Sequence, residues 1–190
     1  MSNLLQKVDI PEDRRGLWSI EKFEISEMDA AISLFSYRTR APQPGIYTRL
    51  MRGRCLVMSD TDAEMRDHME PVWRAKEHIL INGLGIGMVL AACLRKAEVT
   101  KATVIEIDAD LIALIGQHYT DPRVEIICAD ALSYQPPKGI RYGMVWHDIW
   151  SNICSDNLLE MKTLHRKYGR RTNWQGSWCR YQCERAGGAR

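Results

Sequence analysis

Ile79-Leu80-Ile81-Asn82-Gly83-Leu84-Gly85-Ile86-Gly87 is the stretch whose reading decides the fold. A short apolar strand, His78 to Ile81, runs into a glycine turn, Gly83 to Gly87, and a helix begins at Met88 and runs toward Arg95. Downstream the pattern repeats. Thr103-Val104-Ile105-Glu106-Ile107 is a β-branched strand, and Asp110 to His118 reads as a helix with Leu111, Leu114 and Ile115 inward. Val124 to Cys128 is a third strand, and Tyr142 to Trp150 holds a fourth. Strands alternating with helices at this spacing predict βαβ units, hence a parallel sheet with helices on its faces. Ligands of such sheets bind at the carboxyl ends of the strands, near the point where the strand order reverses.

Upstream, the first 75 residues read as a small α+β preface. Residues 1–16 are polar and read as an arm; Trp18, Ile20, Phe23 and Ile25 suggest a strand. Ser26 and Asp29 resemble a helix start, with Met28, Ile32 and Phe35 expected on one face. Pro42, Pro44 and Gly45 end that helix. Ile46–Leu50 and Cys55–Met58 flank Arg52-Gly53-Arg54 as a β-hairpin. Thr61 and Glu64 carry a second capping-box signature, opening a helix that Pro71 interrupts. The expected division is 1–75 for the arm and hairpin element, 76–160 for the core, and 161–190 for a basic, Trp-rich tail.

The glycine turn lets a ligand approach the backbone, and the helix start behind it offers free N–H groups to an anion. A dinucleotide fingerprint would need glycine or alanine at position 88, which is Met. The G-x-G-x-G spacing found here is the one usual at S-adenosylmethionine (SAM) sites. Glu106, 19 residues beyond Gly87, ends the second strand, where a carboxylate can accept from both ribose hydroxyls. Asp130 follows the third strand and can accept from an adenine amino group, with Ala131 leaving room for the ring. Asp148 follows the fourth strand, at the reacting end. A single acid at a strand end reads equally well as a helix cap; three at successive ends after a glycine turn read as an adenosine site.

Residues 79–87, Val104-Ile105-Glu106-Ile107-Asp108, Asp121-Pro122-Arg123-Val124 and Ala129-Asp130-Ala131 together resemble the class I SAM-dependent methyltransferases, within them the spermidine-synthase-like branch. The hairpin followed by Ser59-Asp60-Thr61-Asp62-Ala63-Glu64 resembles that branch's N-terminal element. The resemblance implies a Rossmann-like α/β fold with SAM as cofactor. It implies that Gly83, Gly85 and Gly87 hold the methionine part, Glu106 the ribose and Asp130 the adenine, with Asn82, Leu84, Ile107 and Ala131 also in the cofactor site. The sequence departs from the branch in two places. The D-x-x-D element of aminopropyltransferases is here Asp148-Ile149-Trp150-Ser151, without its second acid. The tyrosine and histidine expected in the preface motif are not in register; Met65 and His68 are found instead. After the helix near Asn157 to Tyr168 no further clear strand is legible, so the expected sheet has four or five strands.

These features support a SAM-dependent methyltransferase whose acceptor the sequence does not name. An aminopropyltransferase-like or other SAM-consuming enzyme, and a non-catalytic SAM- or nucleoside-binding module, stay open as alternatives. Asp148 and His147 are the candidate catalytic bases. Neighbours on a strand point to opposite faces, so one of them is expected to reach the pocket, and Asp148 is favoured. Trp146, Trp150 and Tyr134 are candidates for an aromatic wall, Trp146 being the one more readily read as core.

The chain has 190 residues, suiting one domain, and its 45% hydrophobic and 26% charged content excludes wholesale disorder. No secretory h-region opens it, and six cysteines are too few for a disulfide scaffold, so a reducing cytoplasm with free thiols is expected. Cys55, Cys93 and Cys128 read as buried or idle thiols. Cys179 and Cys183, with Cys154 and His165 upstream, match no common zinc spacing, and no metal is expected. Residues 161–190 carry eight Lys or Arg against Glu184, a net of +7, while residues 1–160 net −5. Basic residues with Trp174, Trp178 and Tyr181 between them can grip nucleic acid, but no motif accompanies them and a solvated extension is preferred. A small-molecule or unknown methyl acceptor and no membrane partner are expected. An open sheet edge would favour a homodimer.

Overall fold

The computed structural model describes residues 5–37 and 41–187, with the side chains of 34–37 left out. Two sheets form. The first is antiparallel, in the order β1 (Asp13–Arg15), β2 (Trp18–Ile25), β3 (Gly45–Arg52), β4 (Cys55–Ser59), with α1 (Glu27–Tyr37) between β2 and β3. The expected hairpin closes with Arg52 opposite Cys55 across Gly53, whose φ of 60° suits glycine. Ser26 and Asp29 make the expected cap: Ser26 N–H and Oγ donate to Asp29 Oδ2, and Asp29 N–H donates to Ser26 Oγ. The expected inner face of α1 is a correction. Met28 and Ile32 are exposed while Ala30 is buried, and Phe35 lies outside the described side chains.

The second sheet is parallel throughout and decides the fold. It comprises β5 (Glu77–Asn82), β6 (Val99–Glu106), β7 (Val124–Cys128), β8 (Met144–His147) and β9 (Gln175–Ser177), in the spatial order β7-β6-β5-β8-β9. The order reverses between β5 and β8, as in doubly wound, Rossmann-like sheets. The chain is therefore α/β with a Rossmann-like parallel core and a small antiparallel N-terminal element. Helices α4 (Met88–Leu94) and α5 (Ala109–Ile115), with the short α2 (Asp62–Asp67) and α3 (Met69–Arg74), lie to one side. Ile79, Ile81, Val104, Met144 and Trp146 point into that side's core. Helix α6 (Asn157–Tyr168) covers the other face, where Leu80, Ile105 and Val145 meet Leu164 and Tyr168. Both faces being covered explains the unbroken apolar run of β5.

The structure adds three elements that the sequence reading lacked, β1, β9 and α7 (Arg180–Gly187), and it corrects the expected arm, since Leu5, Val8 and Ile10 are buried in the core and Val8 N–H donates to Asp60. β9 follows α6 and pairs with β8, making the fifth strand. Three residues, Gln-Gly-Ser, carry no apolar alternation by which to find it. With it, residues 161–187 are built into the fold. The division at 160/161 falls inside α6, and α7 packs on α6. Arg190 lies outside the described residues. Among the described residues no helix is long and apolar enough to cross a membrane.

Candidate active site

The site begins at the glycine turn. Gly83, Gly85 and Gly87 have φ of 98°, 52° and 73°, a region L side chains rarely adopt. A Cβ at Gly83 would overlap the Asp148 carbonyl, where β5 and β8 part and Asp148 N–H still donates to Asn82 O at 2.8 Å. A Cβ at Gly85 would meet the Met58 side chain, which β4 lays over the turn. Gly87 lies under the Tyr119 ring, whose hydroxyl donates to Ile86 O at 2.7 Å.

Above the turn lies a cavity of about 690 Å³, within the size range of small-molecule sites. It runs along the carboxyl ends of β5, β6 and β8, and β4 closes it from the N-terminal element. Gly83, Leu84, Gly85, Glu106, Ile107, Asp130, Ala131 and Asp148 all line it. Glu106 is nearly buried and braces the turn: Oε2 accepts from Leu84 N–H at 2.9 Å and Oε1 from Asp108 N–H at 3.0 Å. Asp130 Oδ1 accepts from Leu132 N–H at 2.9 Å. The loop that carries Asp130 is pinned from α6, where Lys167 Nζ donates to the carbonyls of Ala131, Leu132 and Tyr134.

Three expected site residues do not line the cavity. His147 is fully buried and points to the opposite face from Asp148, as strand alternation requires. Its Nδ1 meets Asn82 Nδ2 at 2.7 Å and its Nε2 meets Gln175 Oε1 at 3.3 Å. Burial, with His165 and Lys167 nearby, pushes it down to about 3, so it is a neutral structural group and no base for the cavity. Asn82 turns its side chain to the same His147 and is equally buried. Gly87 sits behind the turn, against Tyr119. Of the aromatic wall, Trp146 and Trp150 line the cavity and Tyr134 does not. Trp146 does both jobs, since it is buried in the core and stacks at 6.3 Å on Trp174.

The sequence reading missed the ceiling of the site. His68, at the junction of α2 and α3, is 1% exposed, and its Nε2 meets Asp148 Oδ2 at 2.8 Å. Its Nδ1 meets the Glu64 carbonyl at 2.8 Å. Burial alone would lower its pKa, but the Asp148 charge and hydrogen bond, helped by Glu64, hold it above the ordinary histidine value. Glu64 also lines the cavity. Its carboxylate accepts from Ser59 N–H and Oγ, both at 2.6 Å. The expected capping box is thus corrected: Thr61 holds the N-cap position without a side-chain cap bond, and Glu64 reaches back to Ser59. Burial raises the Glu64 pKa despite these bonds. Glu160 of α6 completes the acidic lining and accepts from Trp150 Nε1 at 2.7 Å. The signal available was weak: His68 stands 80 residues from Asp148.

The three cysteines read as buried or idle are all free thiols. Cys93 is buried, with its thiol pushed up to about 12 by burial, whereas Cys55 and Cys128 are exposed. Cys55 borders the cavity. Among the described residues no group of three or more His, Cys, Asp or Glu side chains is placed to hold a metal ion.

No family model matches the chain. Among solved structures it is similar to the 23S rRNA methyltransferase ErmE, at 18% identity and a TM-score of 0.46, covering 59% of this chain and 43% of that one. It is similar to a spermidine synthase from Thermotoga maritima, at 18% identity and a TM-score of 0.49, covering 83% and 52%. It is also similar to a spermidine synthase solved with the transition-state analogue AdoDATO, at 20% identity and a TM-score of 0.46, covering 72% and 44%. The chain spans about half the length of these structures. None of the three TM-scores reaches 0.5, so no residue role is carried over from them. The fold assignment rests on this chain's own sheet order and switch point.

Proposed function

We propose that the chain is a SAM-dependent methyltransferase. One observation carries the reading: the glycine turn, Glu106, Asp130 and Asp148, drawn from four successive strand ends, all line one cavity at the switch point. The donor set fits an adenosyl ligand. Glu106 spends one lone pair per oxygen on backbone N–H groups and keeps the others for ribose hydroxyls. Asp130 keeps an oxygen for the adenine amino group, beside Ala131. Gly83 and Gly85 leave no Cβ between the backbone and the methionine part.

When bound, SAM supplies a methyl group already activated by its sulfonium. The residues then have to orient an acceptor, exclude water and take a proton. Asp148 follows β8 and Asp130 follows β7, with β5 and β6 between them, and the Asp148 side chain is partly exposed. An acceptor held against Asp148 would give that carboxylate the proton it loses on methylation. Trp150, Met58 and Trp178 add apolar surface to the cavity.

Calorimetric titration with SAM, S-adenosylhomocysteine, methylthioadenosine and NAD tests the reading. Binding of the adenosyl-sulfur ligands without NAD is expected, with S-adenosylhomocysteine tighter than methylthioadenosine. Methylthioadenosine binding tighter would point to aminopropyl transfer, and no binding at all would overturn the cofactor site. Asp148→Asn is expected to keep S-adenosylhomocysteine affinity and to lower turnover by about 10²- to 10⁴-fold.

A further inference from the structure

His68 faces two acceptors. A backbone carbonyl cannot donate, so the 2.8 Å contact to Glu64 O places a proton on Nδ1. The 2.8 Å contact of Nε2 to the Asp148 carboxylate then needs a second proton on the ring whenever Asp148 is ionised. The ring is 1% exposed and held edge-on to Trp146 at 6.0 Å, so the charge is buried and paired. The other acids of the cavity have their own partners. Glu64, facing His68 from α2, is held by Ser59, and Glu160, facing from α6, by Trp150. Asp108, at the β6 end, caps α5, accepting from Asp110 and Leu111 N–H, and lies 4.0 Å from Arg52. Asp148 is thus the acid at the transfer end whose partner is a cation belonging to the protein.

Resting on the methyltransferase reading, we propose that His68 is the built-in cationic partner of Asp148. The transfer end of the cavity then selects an uncharged hydrogen-bond donor, a hydroxyl or an un-ionised N–H, over an ammonium. An ammonium brought to Asp148 would share one carboxylate with the imidazolium a few ångströms away, and the two cations repel. A neutral O–H or N–H meets no such repulsion. It donates to the Asp148 oxygen that His68 leaves unused, the same oxygen that takes its proton. His68 acts through Asp148 and is a positioning and specificity-determining residue.

The test reads protonation and ligand charge, neither of which needs the acceptor. In full-length protein with ¹⁵N- and ¹³C-labelled histidine, both ring nitrogens of His68 are expected to carry protons at pH 7. In Asp148→Asn the same ring is expected to be neutral at pH 7. A bare ring nitrogen in the wild type at pH 7 overturns the proposal. Calorimetry with 1,4-diaminobutane, alone and with saturating S-adenosylhomocysteine, is expected to show no low-millimolar binding to the wild type. His68→Gln, which still donates to Asp148 but carries no charge, is expected to gain diamine affinity by about tenfold. Wild-type diamine binding that disappears in Asp148→Asn overturns the proposal. Should His68→Gln fail to fold, the wild-type and Asp148→Asn spectra still decide. Failure of the cofactor reading shows separately, as no heat with SAM or S-adenosylhomocysteine.

Discussion

Burial alone would drive both His68 and His147 to the neutral form, and their neighbours decide otherwise for one of them. The two therefore bend the stability curve in opposite directions. The folded pKa of His68 is raised, so its contribution is complete below the unfolded value of about 6.5 and is lost as pH rises through the folded value. The folded pKa of His147 falls to about 3, so its contribution is present above about 6.5 and is lost as pH falls toward 3. Melting temperatures of the wild type, His68→Gln and His147→Asn across pH 4 to 9 check this. Relative to wild type, His68→Gln is expected to flatten the alkaline side and His147→Asn the acid side. Parallel curves would contradict it. At this scale the sequence was legible where the backbone itself makes the demand. Gly83, Gly85, Glu106, Asp130 and Asp148 could be read because a turn or a strand end fixes each of them. His68 and Glu64 were not, since a helix junction swings them in from a distant stretch. The sidedness that separates His147 from Asp148 was readable as a rule, and the structure says which one faces the cavity.

Single charged side chains hold whole elements in place here, and periodicity does not reveal them. Arg123, in the Asp121-Pro122-Arg123-Val124 stretch, donates to the carbonyls of Leu94 and Val99 and to Asp121. Its hydrogen bonds hold the Asp121 carboxyl down to about 2. It ties the end of α4 to the start of β6, which makes that stretch a clamp and no part of the pocket. Lys167 does the same for the adenine side, giving its ammonium to three carbonyls of the loop after β7. Lys167→Met keeps the aliphatic stem and removes the donors. It is expected to cost about 1–2 kcal/mol of stability, since the group is half-buried and its bonds are charge-assisted. It should also weaken binding of adenosyl ligands, because Asp130 and Ala131 ride on the freed loop. Denaturant unfolding and calorimetry with S-adenosylhomocysteine read the two effects, and unchanged affinity would detach the loop from the site. The sequence showed Lys167 as one charge in a basic stretch, with nothing to mark its partners 33 to 36 residues away.

For the whole molecule the question is whether residues 169–187, the described end of the basic 161–190 stretch beyond α6, are an extension or a wall. Their composition, basic with interleaved tryptophans, reads as an extension. Their contacts make them a wall. Val145 N–H donates to Trp174 O, Trp178 N–H donates to His147 O, and Trp174 stacks on Trp146 at 6.3 Å with 10° between the rings. Arg171 spends its charge on the carbonyls of Pro136 and Pro137, so the basic stretch is partly consumed inside the fold. Trp178 lines the proposed active-site cavity, so the same segment closes the site. Ending the chain after Tyr168 would uncover one side of β8 and strand buried His147 without Gln175. It would also open the cavity beside Asp148. An extension could be cut with little change in unfolding. A wall could not: the truncated chain is expected to lose its cooperative transition, show a smaller denaturant m-value and lose near-ultraviolet tryptophan dichroism. A truncated chain that unfolds with the wild-type midpoint and m-value would return the segment to the status of an appendage. It would also take Trp178 out of the site.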